Sequence, residues 1–458
     1  MAMASIRSSD YAMLMKLIIH RGTHEIGGSC VELRSNTGNS RVVLDVGMPL
    51  VTREGLPFEW RHHKRLRQEQ LLKQGILPAV DGLYGHQKPR IAAVILSHAH
   101  QDHYGFVRFL HPYIPLYMSR GTKSLVEVSN LFLDTGVNLD QVQTFTMWER
   151  LQVGEFTITP YLMDHSAPDA AAFLIQADGQ RLFYTGDFRG HGRKQVLFKR
   201  LLQNPISSVD CLVMEGSMMG RESAKYPDEK AVELAIYRII ANQPSYTFVF
   251  CSSQNLDRFV SVYYAVKRAR KTLVIDLYTA FVLDKLSSIS ERIPQFDWDN
   301  IRVLYPYSHY KRLAKYDKNL LYEYKKAKIE WDEIQANPQD MVILSKDNPY
   351  FRNMLRRLDT SGGAKAIYSM WHGYLERTDL IQLLDTRGIE LIEIHTSGHA
   401  YIEDLKRLAS AMNPRCVVPI HTFYPDEFGR IFSNAVQLDD GEQVKLADVN
   451  KRRKVVDR

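Results

Sequence analysis

Within six positions, the segment His98-Ala-His100-Gln-Asp102-His103 holds four side chains able to bind a metal ion, directly after the apolar run Ile91–Leu96. A short apolar run bounded by polar residues reads as a buried strand. The cluster therefore stands at a strand end, where α/β folds place ligands. In an extended or gently turning loop, residues two apart project to the same side. His98 and His100 are thus set for one metal ion, and Asp102 with His103 turns toward a second. Imidazole and carboxylate donors suit zinc or a similar borderline cation. A lone histidine is more often a loop residue with an ordinary hydrogen bond, but that reading does not account for four such residues this close together.

One cluster cannot complete two coordination spheres. His165, in Met-Asp-His-Ser-Ala-Pro, follows the strand pattern Glu155–Leu162, and Asp187, in Tyr-Thr-Gly-Asp-Phe-Arg, follows Arg181–Tyr184. Singly they read as a loop histidine and a turn aspartate. Their positions after successive strands make both of them candidate ligands.

Around these segments the chain alternates strand patterns with turn signals. Leu17–His20 leads into the Gly-rich stretch 22–28, Ser29–Leu33 pairs with Arg41–Asp45, and Ala172–Gln176 pairs with Arg181–Tyr184 across Ala-Asp-Gly. The basic stretch Trp60–Gln74 reads as a helix. From about residue 217 the texture changes: Thr247–Cys251, Leu256–Ala269 and Thr272–Asp276 form a β-α-β pattern, and the basic, aromatic stretch 309–331 reads as helical. After Lys365 come strands at Ala366–Met370, Glu390–His395 and Cys416–Ile420, with a helix over Glu403–Met412. The expectation is an α/β sandwich with a second α/β module inserted between its strands.

The His-x-His-x-Asp-His run, the later histidine and the Thr-Gly-Asp resemble the signature of the metallo-β-lactamase superfamily. Asp45, in Leu-Asp-Val-Gly, resembles the early aspartate that supports the metal loop in that fold. Three later features narrow the resemblance: the strand Asp210–Met214 ending in Glu215, Ile394-His-Thr-Ser-Gly-His399-Ala, and Val417-Val-Pro-Ile-His421-Thr. They resemble the A, B and C motifs of the nucleic-acid-processing β-CASP group, ribonuclease J-type proteins above all. The resemblance implies an αββα sandwich with an inserted β-CASP domain. Its parts would be residues 15–216 (first lactamase part), 217–369 (insertion) and 370–458 (second lactamase part).

It further implies two Zn2+ ions, with Mn2+ or Mg2+ able to take their place. His98, His100 and His165 would hold one and Asp102, His103 and His421 the other, with Asp187 bridging and Asp102 counted also among the catalytic residues. In such sites a hydroxide at neutral pH is the nucleophile. His399 would serve the leaving oxygen or the phosphoryl group, and Glu215 would orient it. Ser397 and the backbone at Gly398 would contact a phosphate oxygen. Plainer readings stand beside these: Glu215 as a carboxylate at a helix N-terminus, Ser397 as a turn residue, and Asp276 as a rival for the acidic role. Two departures are visible. Thr422-Phe423-Tyr424-Pro425 follows His421 where such relatives carry Gly-Glu, and only 37 residues, 422–458, remain after that motif. The further C-terminal domain of such relatives is therefore expected to be missing, which puts exonuclease processivity in doubt.

The formal net charge of +7 suits a polyanionic partner as well as it suits a merely basic enzyme. Basic stretches at Arg61–Arg67, Lys267–Lys271, Lys311–Lys328 and Lys451–Lys454 are candidate substrate paths, or else solvated faces. The four cysteines lie far apart without metal-knuckle spacing, so reduced buried thiols are expected. No run is long and apolar enough to cross a membrane, residues 1–14 read as an extension ahead of the fold, and a cytoplasmic setting follows. The expected function is hydrolysis of phosphodiester bonds in single-stranded RNA, internally or also from the 5′ end. DNA remains open as substrate, a homodimer is compatible, and the competing readings are a small-molecule hydrolase and an inactive RNA-processing scaffold.

Overall fold

The computed structural model describes residues 14–52, 54–221 and 225–449. Residues 1–13 of the expected extension and the basic run Lys451–Lys454 lie outside them. Two mixed sheets stack face to face. The first has the order Gln443–Lys445, Lys16–Arg21, Cys30–Arg34, Arg41–Leu44, Ala93–Ile95, Leu116–Met118, Val142–Thr144. The second has the order Cys416–Ile420, Cys211–Glu215, Gln180–Tyr184, Ala171–Ala177, Phe156–Leu162, Leu151–Val153. Side chains alternate faces along a strand, and the pattern is visible here. Leu17, Ile19, Val42 and Leu44 meet Phe156, Ile158, Phe173, Leu182 and Val213 between the sheets. The intervening residues face outward: Val43 and Val94 pack on the helix Arg120–Leu133, while Leu174, Phe183 and Leu212 pack on the helices Gln195–Gln203 and Ile402–Met412. Helices thus cover both outer faces, which makes the layers helix, sheet, sheet, helix.

A third sheet is wholly parallel, in the order Ile301–Leu304, Thr272–Asp276, Met341–Ser345, Thr247–Phe250, Lys365–Tyr368, Glu390–Glu393. Parallel strands are buried on both faces and read as continuous apolar runs, as Thr-Phe-Val-Phe at 247–250 does. Val249, Leu273 and Ile367 pack on one side, with Phe248, Val274 and Ala366 on the other. Glu390–Glu393, placed by the sequence boundary in the second lactamase part, is an edge strand of this sheet. The helix Leu380–Thr386 crosses over from Lys365–Tyr368 to reach it. The chain returns to the sandwich only through Ile394–Ala400, the loop that carries Ser397, Gly398 and His399.

Both long helix expectations break. Trp60–Gln74 forms two short helices, Trp60–His63 and Gln68–Lys73. Its charges put Arg61 opposite Arg65, and like charges four apart weaken a helix. In 309–331 the helices Tyr307–Tyr316 and Lys318–Tyr324 meet at Asp317, whose carboxylate accepts from Asn319 N and starts the second. The sandwich and the third sheet are joined by Arg120–Leu133 packing on Leu277–Lys285 and Tyr307–Tyr316. Phe132 sits among the rings of Tyr278, Phe281 and His309.

Candidate metal centre

The strands Phe156–Leu162, Gln180–Tyr184, Cys211–Glu215 and Cys416–Ile420 run in one direction, so their C-terminal ends share one edge of the sandwich. His165, Asp187, Glu215 and His421 stand on or just beyond those ends, and the His98–His103 loop follows Ala93–Ile95 in the facing sheet.

Asp45 organises that loop. It is fully buried at φ +58°, and its carboxylate accepts from Ser97 N at 2.7 Å, Ser97 Oγ at 2.8 Å, Tyr184 OH at 2.8 Å and His103 Nδ1 at 2.9 Å. A carboxylate has about four acceptor positions, so Asp45 is saturated. His103 must donate through Nδ1, which leaves Nε2 bare toward the site. Gly47 is required by close approach: a Cβ there would lie 1.8 Å from the Asp102 carbonyl oxygen. The loop's backbone is held by Ser29 N donating to Asp102 O at 3.1 Å and Met48 N to Gln101 O at 2.9 Å. Gly186, in Thr-Gly-Asp, has φ +52°, and a Cβ would come within 2.9 Å of Ala171 O. The turn that delivers Asp187 therefore needs glycine.

The ligand candidates form two groups sharing Asp187. In one, single donor atoms of His98, His100, His165 and Asp187 lie within 4.8 Å of one another; in the other, those of Asp102, His103, Asp187 and His421 do. His98 Nε2 is 3.1 Å and His165 Nε2 3.3 Å from His100 Nδ1. Asp187 Oδ2 is 3.2 Å from His103 Nε2, 3.7 Å from His98 Nε2 and 3.8 Å from His421 Nε2. The second nitrogens are spoken for: His165 Nδ1 donates to Gly398 O at 2.9 Å, and His98 Nδ1 meets Ser97 Oγ at 3.0 Å. His421 Nδ1 faces Ser29 Oγ at 3.0 Å. The Gly27 N–H, 3.2 Å from the same nitrogen, selects the opposite tautomer, so a cation at Nε2 requires donation to Ser29 and gives up that longer contact.

These residues fit metal ions. Both oxygens of Asp187, and Nε2 of His103 and His421, are buried without a hydrogen-bond partner among the described residues. An uncompensated buried carboxylate costs several kcal/mol, and imidazole lone pairs facing one another repel. A cation at each group removes both penalties. The electrostatics of two members, His98 and Asp187, agree. Burial and the neighbouring rings of His103, His100 and His165 hold His98 well below the ordinary histidine range, so it stays a neutral donor. Although burial opposes it, the His103, His421 and His399 rings hold Asp187 well below the usual carboxylate range.

Beyond Asp187 lies His399, whose Nδ1 is 3.5 Å from Glu215 Oε1 and 3.7 Å from Asp187 Oδ2. Burial works against its charge, but the Glu215 and Asp187 carboxylates lift it to about 9. The His399 side chain is 24% exposed while Glu215 is 1% exposed, so the histidine is the member of the pair open to a substrate. Glu215 also accepts from Ser217 N at 2.9 Å and Ala400 N at 3.1 Å, tying the end of its strand to the His399 loop. Ser397 is placed differently from a free phosphate contact: its hydroxyl accepts from His399 N at 3.0 Å and donates to Met218 Sδ. Gly398 contributes its carbonyl to His165, as above. Asp276 caps the helix Leu277–Lys285 through Thr279 and joins neither ligand group.

A buried charge network behind the loop escaped sequence reasoning. Arg189 is fully buried and donates to Ser397 O at 2.8 Å and Asp257 Oδ2 at 2.6 Å. Arg258, also fully buried, donates to Glu229 at 2.9 Å and to Ser369 O at 2.8 Å and Thr396 O at 3.2 Å. His191 Nε2 reaches Ser397 O at 3.0 Å. The only available signal was Arg189 standing two residues after Asp187. The basic stretches proposed as substrate paths spend much of their charge locally: Arg61 on Glu59, Lys271 on the Gln243 and Gln339 carbonyls, Arg312 on Asp134 and Lys326 on Asp297.

A family model described as a beta-lactamase superfamily domain matches residues 70–236, and one described as a Zn-dependent metallo-hydrolase RNA specificity domain matches residues 388–426. The chain is 23% identical to the ribonuclease J of Sinorhizobium meliloti over 75% of its length and 61% of that protein's. It is 26% identical to the ribonuclease J of Helicobacter pylori over 93% of its length and 60% of that protein's. It thus spans about three fifths of the length of these curated relatives. A crystal structure of a protein of unknown function from Enterococcus faecalis shares the fold, with a TM-score of 0.74 and 21% identity over 94% of this chain and 99% of that one.

Proposed function

We propose that the chain is a zinc-dependent ribonuclease of the metallo-β-lactamase superfamily, hydrolysing phosphodiester bonds of single-stranded RNA. The observation that carries the reading is Asp187, shared between two ligand groups and faced by the His399–Glu215 pair. Support also comes from the RNA specificity model, whose span includes Ser397, Gly398, His399 and His421, and from the ribonuclease J relatives. The third sheet we assign to the inserted β-CASP domain of such enzymes. The four cysteines are buried and unpaired, which fits a reducing, cytoplasmic setting. Among the described residues no helix is long and apolar enough to cross a membrane.

His98, His100 and His165 would hold one Zn2+ and Asp102, His103 and His421 the other, with Asp187 within reach of both groups. Ions there supply Lewis acidity, drawing charge from the phosphodiester oxygens and making hydroxide available near neutral pH. The remaining work belongs to the chain. His399, with Nδ1 turned to Glu215, presents Nε2 to the substrate and gives its proton to the leaving oxygen. Glu215 fixes the ring's tautomer and direction, and its two backbone N–H bonds keep the carboxylate from rotating away. Asp45 does the same for His103. Ser397 shapes the loop from within, accepting from His399 N, so the Gly398 N–H rather than the serine hydroxyl is proposed to face the phosphate.

The deciding experiment incubates metal-loaded protein with 5′-labelled single-stranded RNA and DNA, beside an Asp102→Ala/His103→Ala control. Metal-dependent cleavage of RNA, lost in the control, is expected. Cleavage of DNA alone transfers the reading to a DNA nuclease, and cleavage of neither ends it. Product lengths separate internal cutting from 5′ trimming.

A further inference from the structure

Beside the metal groups lies a set of exposed aromatic rings that the proposed chemistry does not use. Trp371 and Tyr374 belong to the turn of 3-10 helix at His372–Arg377 and the residue before it, after the strand Lys365–Tyr368. Their rings meet edge to face, with centroids 5.3 Å apart at 86°. Phe423 and Tyr424 follow His421-Thr422 and lead into the helix Pro425–Ile431. All four are between 39% and 48% exposed, although burying such rings is favourable and nothing about the core keeps them out. The Tyr424 ring lies against Gly220, where a Cβ would come within 2.7 Å of it. Arg221, the next residue, stands over the Trp371 ring at 5.3 Å, and Arg377 stands over both Trp371 and Tyr374 at 5.7 Å. Among the described residues neither guanidinium has a carboxylate partner within ion-pair distance.

The patch adjoins the reaction centre. Phe423 and Tyr424 are two and three residues from a ligand candidate.

We propose that Trp371, Tyr374 and Tyr424 form a stacking platform for unpaired bases flanking the scissile phosphate, with Arg221 and Arg377 answering the neighbouring phosphates. The inference rests on the nuclease reading and deepens it. Rings with cations held over them suit a ligand that alternates flat faces with negative charge, as a single strand of nucleic acid does. An apolar protein partner would bury the two guanidinium groups unpaired, at a cost of several kcal/mol. A duplex hides its base faces inside its own stack, so the platform selects single strands. Every base has a flat face, so sequence preference is weak.

The test uses the metal-loaded full chain and a short 5′-labelled oligoribonucleotide with one abasic residue placed in turn at each position around the cleaved bond. In the wild type, an abasic residue at the platform position should raise KM about five- to tenfold, within the range that loss of one stacked base produces. Trp371→Ala should raise KM similarly on intact RNA and make the enzyme indifferent to that abasic residue. Trp371→Phe should restore most of the loss. The matching DNA oligonucleotide should show the same coupling, since stacking does not sense the 2′-hydroxyl. Equal losses of the variant on intact and abasic RNA, or an unchanged KM on intact RNA, would overturn the platform while leaving the nuclease reading intact. Absence of metal-dependent cleavage by the wild type overturns that reading instead. The platform is then judged by tryptophan fluorescence: quenching by the oligoribonucleotide should be reduced in Trp371→Phe, and quenching undiminished there refutes it.

Discussion

Asp187 is the residue with the most to lose from a change. Both of its oxygens are buried and unbonded, and three histidine rings and His399 face it. Asp187→Asn preserves its size and removes its charge. The variant should bind fewer ions by elemental analysis and lose metal-dependent cleavage by at least about a hundredfold, since even partners one step removed from a ligand cost that much. A variant that retained its full ion content would contradict the shared role. Glu215 is predicted to behave differently, because it touches His399 and backbone but no ligand group. Glu215→Gln should lower kcat by about 10²–10⁴, the contribution of a positioned acid–base group, with ion content and KM unchanged. At this scale the candidate ligands, which the fold brings into two groups, could be picked out because chemistry demands a few residue types at strand ends. Arg189, Arg258 and Glu229 could not, because a buried ion pair leaves no spacing in the sequence; its partners are assembled only by the fold.

The loop Ile394–Ala400 is short, irregular and pinned from several sides. Arg258, on the helix Leu256–Ala269, holds the Thr396 carbonyl and pairs with Glu229. Arg258→Met should destabilise the protein by about 3–5 kcal/mol, the usual result of leaving one member of a buried pair alone, read as a lower urea midpoint. The same helix makes the loop sensitive to acid. Burial and the facing Arg258 charge push His395 down to about 3. An unfolded histidine titrates near 6.5, so below that pH the unfolded chain takes up a proton that the folded chain refuses. Stability should therefore be unaffected by this residue above about pH 6.5 and fall as the pH drops toward 3, by up to about 1.4 kcal/mol per unit. His395→Asn should flatten that part of the stability–pH curve, and identical slopes in the two proteins would exclude the residue. Strands and hairpins were readable from two-residue periodicity and Gly-containing turns, as at Ala177-Asp178-Gly179. Helix interruptions at Lys64–Arg67 and Asp317 were not, since like-charge repulsion and a mid-segment cap leave the apolar pattern intact. Glu390–Glu393 was legible as a strand, but its sheet was not, because pairing is a long-range property.

Across the whole molecule, the candidate metal site is one place where segments leading from all three sheets meet. His98–His103 comes from the first sheet, His165, Asp187 and His421 from the second, and the His399 loop descends from the third. His165 joins the last two directly: one face of its ring looks to His98 and His100, while its Nδ1 holds Gly398 O. Ions bound there favour the folded state by mass action, about 2.7 kcal/mol at a hundredfold excess over Kd. Chelation should therefore lower the melting temperature. The more telling consequence is where protection is lost. Without ions the repulsion among the ring nitrogens returns, His165 is freed to rotate, and the Gly398 carbonyl loses its fixed donor. Hydrogen exchange after chelation should accelerate at residues 98–103 and 185–188, and also at 398–400, which contain no ligand. The helix Leu256–Ala269, whose buried face packs in the core of the inserted sheet, should keep its protection, because local opening need not involve the most deeply packed elements. Faster exchange confined to the ligand segments would show that His165 does not couple the motif loop to the metals. Faster exchange throughout would show that the ions hold up the entire fold and not the junction of its sheets.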